Sequence, residues 1–305
     1  MKKKESGPQV YESLSELHRV LGLPKPLHPM ISLVENKDNE VDLARLPSSF
    51  VHPFYKISLK KSLSGKIKYG QGYYDFDEGG MLFKAPHQVS AKGEVSQDHS
   101  GYTVLFHPDF LAGYPLAKKI KQYGFFSYSV NEALHLSDKE KATIMSVFKS
   151  MEEELNGTID DFSQDVMVSQ IELLLNYSNR FYKRQFLTRK AVNHDLLQKL
   201  EELTESYFNQ ESPEPRGLLT VQFLADRLFI SPSYLSDMLR SLIGQNAQQY
   251  IHHKLIEKAK EKLSTTHLSV SEIAYGLGFE HAQSFSKLFK TKTRQTPLEF
   301  RASFN

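Results

Sequence analysis

The C-terminal third of this 305-residue chain repeats itself about every 50 residues, and no other feature constrains the fold as tightly. Leu235 answers Phe285, Ser236 answers Ser286, Leu239 answers Phe289, Arg240 answers Lys290 and Tyr250 answers Phe300. Apolar meets apolar and base meets base. Upstream, Phe223-Leu224-Ala225-Asp226-Arg227-Leu228 answers Glu272-Ile273-Ala274-Tyr275-Gly276-Leu277 one register step apart. Each copy reads as a short helix holding a small alanine, a tight turn and a second helix. The alanine lets the two helices approach closely, and the second helix of such a unit can enter a DNA major groove.

Turn and cap chemistry agrees with that reading. Thr220 can cap the first helix of copy one, and Ser231 before Pro232 is an N-cap followed by a proline where a missing N–H costs nothing. Ser269-Val270-Ser271-Glu272 is a capping box for copy two, and Gly276-Leu277-Gly278-Phe279 supplies its turn. Between the copies, Ala247 to Leu263 reads as one helix with Ile251, Leu255, Ala259 and Leu263 at i+4 spacing. Its length of about 26 Å would hold two recognition helices near one DNA turn apart, about 34 Å.

The stretch from Thr220 to Arg301 closely resembles the double helix-turn-helix DNA-binding domain of AraC-type bacterial transcription regulators. The motifs that carry the resemblance are Ser271-Glu272-Ile273-Ala274-Tyr275-Gly276-Leu277-Gly278-Phe279, Ser284-Phe285-Ser286-Lys287-Leu288-Phe289-Lys290 and Thr296-Pro297-Leu298-Glu299-Phe300-Arg301. Three departures stand out: Arg294 where the family has glycine before the Thr-Pro pair, Asp237 and Leu239 where many members have arginine and phenylalanine, and Asn246-Ala247 for the usual Ser-Pro. The resemblance implies a sequence-specific regulator of double-stranded promoter DNA that works with RNA polymerase. It also implies an N-terminal effector and dimerisation region, often a cupin-like barrel, with a small-molecule effector and a homodimer.

If Leu235, Met238, Leu239 and Leu242 face the core of copy one, then Ser233, Ser236, Asp237 and Arg240 face outward. In copy two, Phe285, Leu288 and Phe289 facing inward leave Ala282, Gln283, Ser286, Lys287 and Lys290 outside. Gln283 is suited to adenine, Lys287 to guanine O6/N7 and Ala282 to a thymine methyl. Lys290, Lys292 and Arg294 suit phosphates, which position a protein without specifying sequence.

Ahead of the repeat the period changes. A short helix through Leu14, Leu17, Val20 and Leu21 ends before Pro24. Between about residues 30 and 107 short β-type runs follow, at Tyr55–Leu59, Ile67–Tyr69, Gln71–Phe76, Met81–Phe83 and Tyr102–Phe106, with glycines between them. They predict a small barrel or sandwich. The capping box at Ser137 and Glu140 opens a helix to about Leu155, and a longer helix is expected from about Phe162 to Phe186. Its stripe of Ile171, Leu174, Leu175, Phe181 and Tyr182 can pack on its own barrel or form a dimer contact. Residues 187–194 are poor in apolar side chains and read as a hinge, followed by a helix with Leu196, Leu200, Leu203 and Tyr207. The chain is thus expected to be α+β: a cupin-like β-barrel with helices at 1–188, for effector binding and dimerisation, and an all-α double helix-turn-helix DNA-binding domain at 189–305.

Composition limits the alternatives. The chain has no cysteine, which removes disulfides and thiolate metal sites and makes the cytosol the expected compartment. Met1-Lys2-Lys3-Lys4 is followed by no apolar signal segment, and no stretch of about 18 apolar residues reads as a membrane span. The net charge of +2 divides unevenly: residues 217–305 carry 11 basic and 7 acidic side chains, a net of +4, and the remainder is −2.

Neither a catalytic motif nor a phosphate-binding glycine loop is present, and Gly79-Gly80 reads as a hairpin turn. His52, His87, His99 and His107 lack the His-x-His pair and following glutamate of a metal-binding cupin, so neither metal nor cofactor is expected. His252 and His253 are adjacent on a helix and do not share a face. Tyr69, Tyr73, Tyr74 and Phe83 can line a small-molecule pocket or fill the core. Two rival readings stay open: a catalytic cupin fused to a DNA-binding module, and a ligand-free interaction module in the same place.

Overall fold

The computed structural model describes residues 8–36, 45–60, 63–69, 72–76, 79–91, 101–129, 132–188, 190–209 and 217–304, with the side chains of 63–69, 72–76, 91 and 190–192 outside the description. The chain divides into two units, Met1–Thr188 and Arg189–Asn305.

In the first unit the order is β1 (Gln9–Val10), α1 (Leu14–Leu21), β2 (Ile31–Asn36), β3 (Ser49–Val51), β4 (Tyr55–Lys60), β5 (Leu63–Tyr69), β6 (Gly72–Phe76), β7 (Gly80–Lys84), β8 (Ser90–Ala91) and β9 (Gly101–Phe106). Then come α2 (Leu116–Lys119), β10 (Leu134–His135), α3 (Asp138–Asn156) and α4 (Ser163–Thr188). Three separate sheets form among the described residues and no closed barrel is seen, so of the barrel or sandwich that the strand spacing predicted the layered arrangement is the one observed. A five-stranded antiparallel sheet runs β10-β7-β4-β9-β2, a three-stranded sheet runs β1-β3-β8, and β5 pairs with β6 alone. Gly79-Gly80 makes no β6–β7 hairpin, because β7 pairs with β4 and β10 instead.

Strand alternation assigns the two faces of the large sheet. Register partners Ile57, Val104 and Phe83 share one face, together with Tyr55, Leu59, Met81 and Tyr102. This face packs against α3 and α4: Tyr102 stacks on Phe148 at 5.5 Å and the Ser178 hydroxyl meets the Met81 sulfur at 3.8 Å. The stripe Ile171, Leu174, Leu175, Phe181 and Tyr182 is buried within its own unit, so it serves the core and is not a free dimer face. The opposite face carries Leu105, which joins Tyr11, Leu14, Leu17, Leu46, Phe50 and Phe54 in a second cluster. There α1, β1 and β3 lie over the sheet, as the second layer of a sandwich does.

Helix ends follow the expected cap chemistry. The Ser13 side chain accepts the Glu16 N–H ahead of α1, and Gly22 closes that helix at φ 72°. Ser137 and Glu140 form both halves of their capping box. From α4, the Arg184 guanidinium reaches back to that glutamate at 2.7 Å and to the His135 carbonyl at 2.7 Å, joining the two helices.

The second unit contains α5 (Lys190–Asn209), α6 (Val221–Leu228), α7 (Pro232–Ile243), α8 (Ala247–Thr265), α9 (Val270–Gly276), α10 (Ala282–Thr293) and α11 (Pro297–Ala302). The polar stretch 187–194, expected as a hinge, is taken up by the end of α4 and the start of α5 apart from residue 189. No helix among the described residues is long and apolar enough to cross a membrane.

Candidate nucleic-acid interface

Both helix pairs are built from the same parts. Ala225 and Ala274 are fully buried where α6 meets α7 and α9 meets α10. The residue in the left-handed region is Phe229 at φ 58° in copy one and Gly278 at φ 91° in copy two. Next in each copy comes a buried side chain, Ile230 or Phe279, whose N–H donates at 3.0 Å to the carbonyl of that copy's alanine. The copies then diverge by one residue. Ser231 caps α7 directly, its hydroxyl accepting the Tyr234 N–H at 3.2 Å. In copy two Glu280 is added before His281, which begins α10 with no side-chain cap bond. This single residue is the physical cause of the register step between the upstream and downstream halves of the repeat.

Phe229 is a large side chain, 74% exposed, in a backbone region that favours glycine. Phe229→Gly is expected to stabilise the protein by about 0.5–1 kcal/mol, read as a higher urea midpoint at unchanged slope. A lower midpoint would assign the ring a stabilising contact that its exposure excludes.

The pair α9/α10 is seated by one apolar cluster, in which Ile273, Ala274, Leu277, Phe279, Phe285 and Phe289 meet Leu255, Ile256, Ala259 and Leu263 of α8. Ile251 is buried as well, so α8 buries the whole stripe that its i+4 spacing predicted. Two caps not singled out in the sequence complete the repeat. Asn246 with Gln249, and Thr296 with Glu299, form capping boxes at the starts of α8 and α11. The Arg301 guanidinium donates to the carbonyls of Leu263 (3.2 Å) and Leu268 (2.6 Å), fastening α11 to the end of α8.

Against this frame the sequence-derived contact residues separate. On α10, Gln283, Lys287, Lys290 and Lys292 are exposed, and the first three recur at i, i+4 and i+7 along one face. Ser286 is half-buried. Ala282 is half-buried too and packs against the copy-two cluster, so much of its methyl group is already engaged. On α7, Ser233, Ser236 and Asp237 are half-buried, and the exposed Arg240 forms an ion pair with Asp237. Ser284 is exposed beside Gln283 and was not picked out by sequence, because nothing but exposure distinguishes it.

Charge is distributed in the same sense. Residues 217–246 hold two carboxylates, Asp226 and Asp237, and two guanidiniums, Arg227 and Arg240, so copy one contributes nothing to the +4 of this region. The excess falls on α8 and on copy two. Among the described residues, no carboxylate lies within ion-pair distance of Lys287, Lys290, Lys292 or Arg294. Burial, with Lys292 nearby, holds the His252 imidazole below its ordinary value.

In the first unit, Phe83 lies on the wall of a cavity, whereas the side chains of Tyr69, Tyr73 and Tyr74 fall outside the described residues. His52 is buried, and burial with Lys56 and Lys84 nearby pushes its imidazole down to about 4. His87 occupies a left-handed turn at φ 63°, and His107 accepts the Asp109 N–H at 3.2 Å. His99 lies outside the described residues. Among those described, no three His, Asp or Glu side chains gather as a metal site.

A helix-turn-helix protein is what this geometry defines, and comparison with known proteins agrees. The model described as "Helix-turn-helix domain" matches residues 224–303. YijO of Escherichia coli, named an uncharacterized HTH-type transcriptional regulator, is 26% identical over 148 residues, covering 48% of this chain and 51% of that protein. The arabinose operon regulatory protein of Salmonella typhimurium is 34% identical over 79 residues, covering 26% of this chain and 28% of that protein. The C-terminal domain of the two-component response regulator yesN from Fusobacterium nucleatum is 35% identical, covering 33% of this chain and 96% of that one, with a TM-score of 0.29. The chain thus spans about half of YijO and about a quarter of the arabinose regulator. Its C-terminal segment is a helix-turn-helix domain of the AraC type.

Proposed function

We propose that the chain is a sequence-specific, DNA-binding transcription regulator that presents α7 and α10 to double-stranded promoter DNA. One observation carries the reading: α10 is seated by Phe285 and Phe289 while Gln283, Lys287 and Lys290 stand exposed on one face, with no carboxylate among the described residues within ion-pair distance of the lysines. Gln283 and Lys287 read base edges; Lys290, Lys292 and Arg294 hold phosphates. On α7, Ser233, Ser236 and Arg240 make a lesser contribution, since Asp237 already neutralises Arg240. Regulator relatives, and a chain without a nucleophile motif, favour this over catalysis.

The division of labour proposed is an N-terminal unit, residues 1–188, of cupin-like ancestry that senses an effector and dimerises, and a C-terminal unit, 189–305, that binds DNA and engages RNA polymerase. An effector acts by favouring one arrangement of the dimer on DNA over another. Genome-wide mapping of bound sites tests the core of this reading, and retention of no site above nonspecific background would overturn it. On a mapped site, Gln283→Ala or Lys287→Ala is expected to weaken specific binding by about 1–3 kcal/mol and to relax sequence preference. Lys292→Ala is expected to weaken all sequences alike and flatten the salt slope by about one. Titrations of specific and random DNA at several salt concentrations separate the two effects, and equal losses on both DNAs for Gln283→Ala would remove it from base reading.

A further inference from the structure

Two imidazoles are buried among the described residues, His18 at 4% exposure and His52 at 3%, and both lie in the first unit, where α1, β1 and β3 meet the five-stranded sheet. In the second unit His194, His253, His267 and His281 are exposed and His252 is half-buried. His18 spans the two layers. From α1 its ring meets the Pro24 carbonyl through Nδ1 at 2.6 Å and the Ser32 hydroxyl of β2 through Nε2 at 2.8 Å. A carbonyl only accepts, so Nδ1 carries the proton of the neutral ring and Nε2 accepts from the serine. His52 stands at the corner between β3 and β4, stacked on Phe54 at 5.7 Å and 6.3 Å from Phe50, two rings of the interlayer cluster. Its Nδ1 accepts the Phe54 N–H at 3.4 Å and its carbonyl accepts the His87 N–H at 2.9 Å, which joins this corner to the one between β7 and β8.

A proton added to either ring turns an accepting nitrogen into a donor aimed at a donor. In His52 the new N–H meets the Phe54 N–H; at His18, the Ser32 hydroxyl, itself 4% exposed, loses its acceptor. Charge opposes the same step. Ser32, Leu105, Lys56 and Lys84 form one register row across β2, β9, β4 and β7. Lys56 and Lys84 are the charged groups toward His52, and burial, then these two cations, holds its imidazole down to about 4. His87 turns its ring to solvent. Toward His18 come Ser32 and the Pro24 carbonyl, neither of which titrates, and burial holds that ring below its ordinary value. Lys56, held down to about 7 by burial and then by Lys60 and Lys84, takes its proton ahead of the imidazoles. Both imidazoles lie lower in the closed layer than their ordinary 6.5, so the opened layer binds more protons. The closed layer is therefore favoured above about pH 6.5 and loses that advantage as the pH falls toward about 4.

We propose that the first unit carries an acid-operated latch: protonation of His18 and His52 frees α1, β1 and β3 from the five-stranded sheet while the helix-turn-helix unit stays folded. The latch makes the state of the first unit depend on pH without dismantling the second, in which no described imidazole is buried. It goes beyond the function proposed above and does not depend on it.

Amide hydrogen exchange of the full chain between about pH 7.5 and about pH 5, with rates corrected for the intrinsic effect of pH, tests the latch. Protection of α1 and β3 is expected to fall at least about tenfold at the acid end, while that of α7 and α10 changes less than about twofold. Between about pH 6 and 5 the logarithm of the opening constant is expected to rise by about one to two per pH unit, the uptake of one to two protons. His18→Gln keeps an acceptor where Nε2 stands and His52→Asn keeps one where Nδ1 stands, with no group left to titrate. The double variant is therefore expected to hold its protection at the acid end. The proposal is overturned if wild-type α1 and β3 keep their protection to within about twofold, if α7 and α10 open in the same proportion, or if the double variant, folded at neutral pH, opens with acid as the wild type does. Should the double variant not fold, the wild-type slope decides: about one or more supports the latch, and less overturns it.

Discussion

Phe285→Ala is expected to cost about 3–5 kcal/mol of stability and to abolish specific DNA binding. Phe285 is fully buried, with its ring edge-on to Phe279 at 5.5 Å and tilted against Phe289 at 5.7 Å, in the cluster that holds α10 on α8 and α9. Removing the ring leaves a cavity at the junction of three helices, and the short α9 offers little surface with which to close it. Its seven residues are too few to be helical without that packing. Phe285→Leu, which keeps most of the volume, should lose less than about 1.5 kcal/mol and retain operator binding. Urea unfolding of the full chain followed by far-ultraviolet circular dichroism, with operator binding alongside, measures both. A loss under 1 kcal/mol for the alanine variant would mean that the cluster does not seat α10. The contrast with Lys287→Ala is the informative one: that change leaves the urea midpoint in place and acts on DNA alone.

Gly101→Ala is expected to be comparably damaging in the N-terminal unit, by at least about 3 kcal/mol. Gly101 begins β9 at φ 116°, a conformation that L side chains rarely adopt, opposite Lys60 on one side and Asn36 on the other. A Cβ there would lie 2.0 Å from the Leu59 carbonyl oxygen, which belongs to the central strand and cannot move without disturbing the β4–β9 ladder. Gly157→Ala is the control: its φ is −78° and the added carbon would meet only carbonyl oxygens at 3.4 Å, so a change within about 0.5 kcal/mol is expected. Melting curves of the two variants decide the matter, and similar transitions for both would show that β9 does not approach β4 this closely.

The helical unit was legible because its determinants are local. Capping boxes span three residues, the turn is set by a residue of positive φ and the next buried side chain, and the α8 stripe repeats every four residues. Each signal lies within one or two helical turns of the group it acts on. The nature of the inserted residue was not legible, because an offset that changes from 49 to 50 residues locates an extra residue without saying that Glu280 displaces the cap. Nor did the pattern show Ala282 joining the core; helical spacing places it at the boundary of the buried face, where a methyl group suits either side.

In the N-terminal unit β4, β5, β6, β7 and β9 were legible, whereas β1, β2, β3, β8 and β10, and the partners of all the strands, were not. The runs at 55–59, 81–83 and 102–106 carry the alternation and β-branched or aromatic content of strands, but pairing joins β2 to β9 and β10 to β7, across separations that no local pattern encodes. The choice between barrel and sandwich was therefore made by pairing, in favour of layered sheets.

Sequence alone determined the two repeated helix pairs, the caps at Thr220, Ser231 and Ser269 and the resemblance to the AraC type, since short-range hydrogen bonds and apolar periodicity are written residue by residue. Tertiary structure decided which faces those residues share. It turned the stripe of α4 inward, tied Arg240 to Asp237 and, among the described residues, left no carboxylate within ion-pair distance of the α10 lysines. It also brought Lys56, Lys60 and Lys84 to one cavity, because pairing across strands, and not order along the chain, fixes which charges meet.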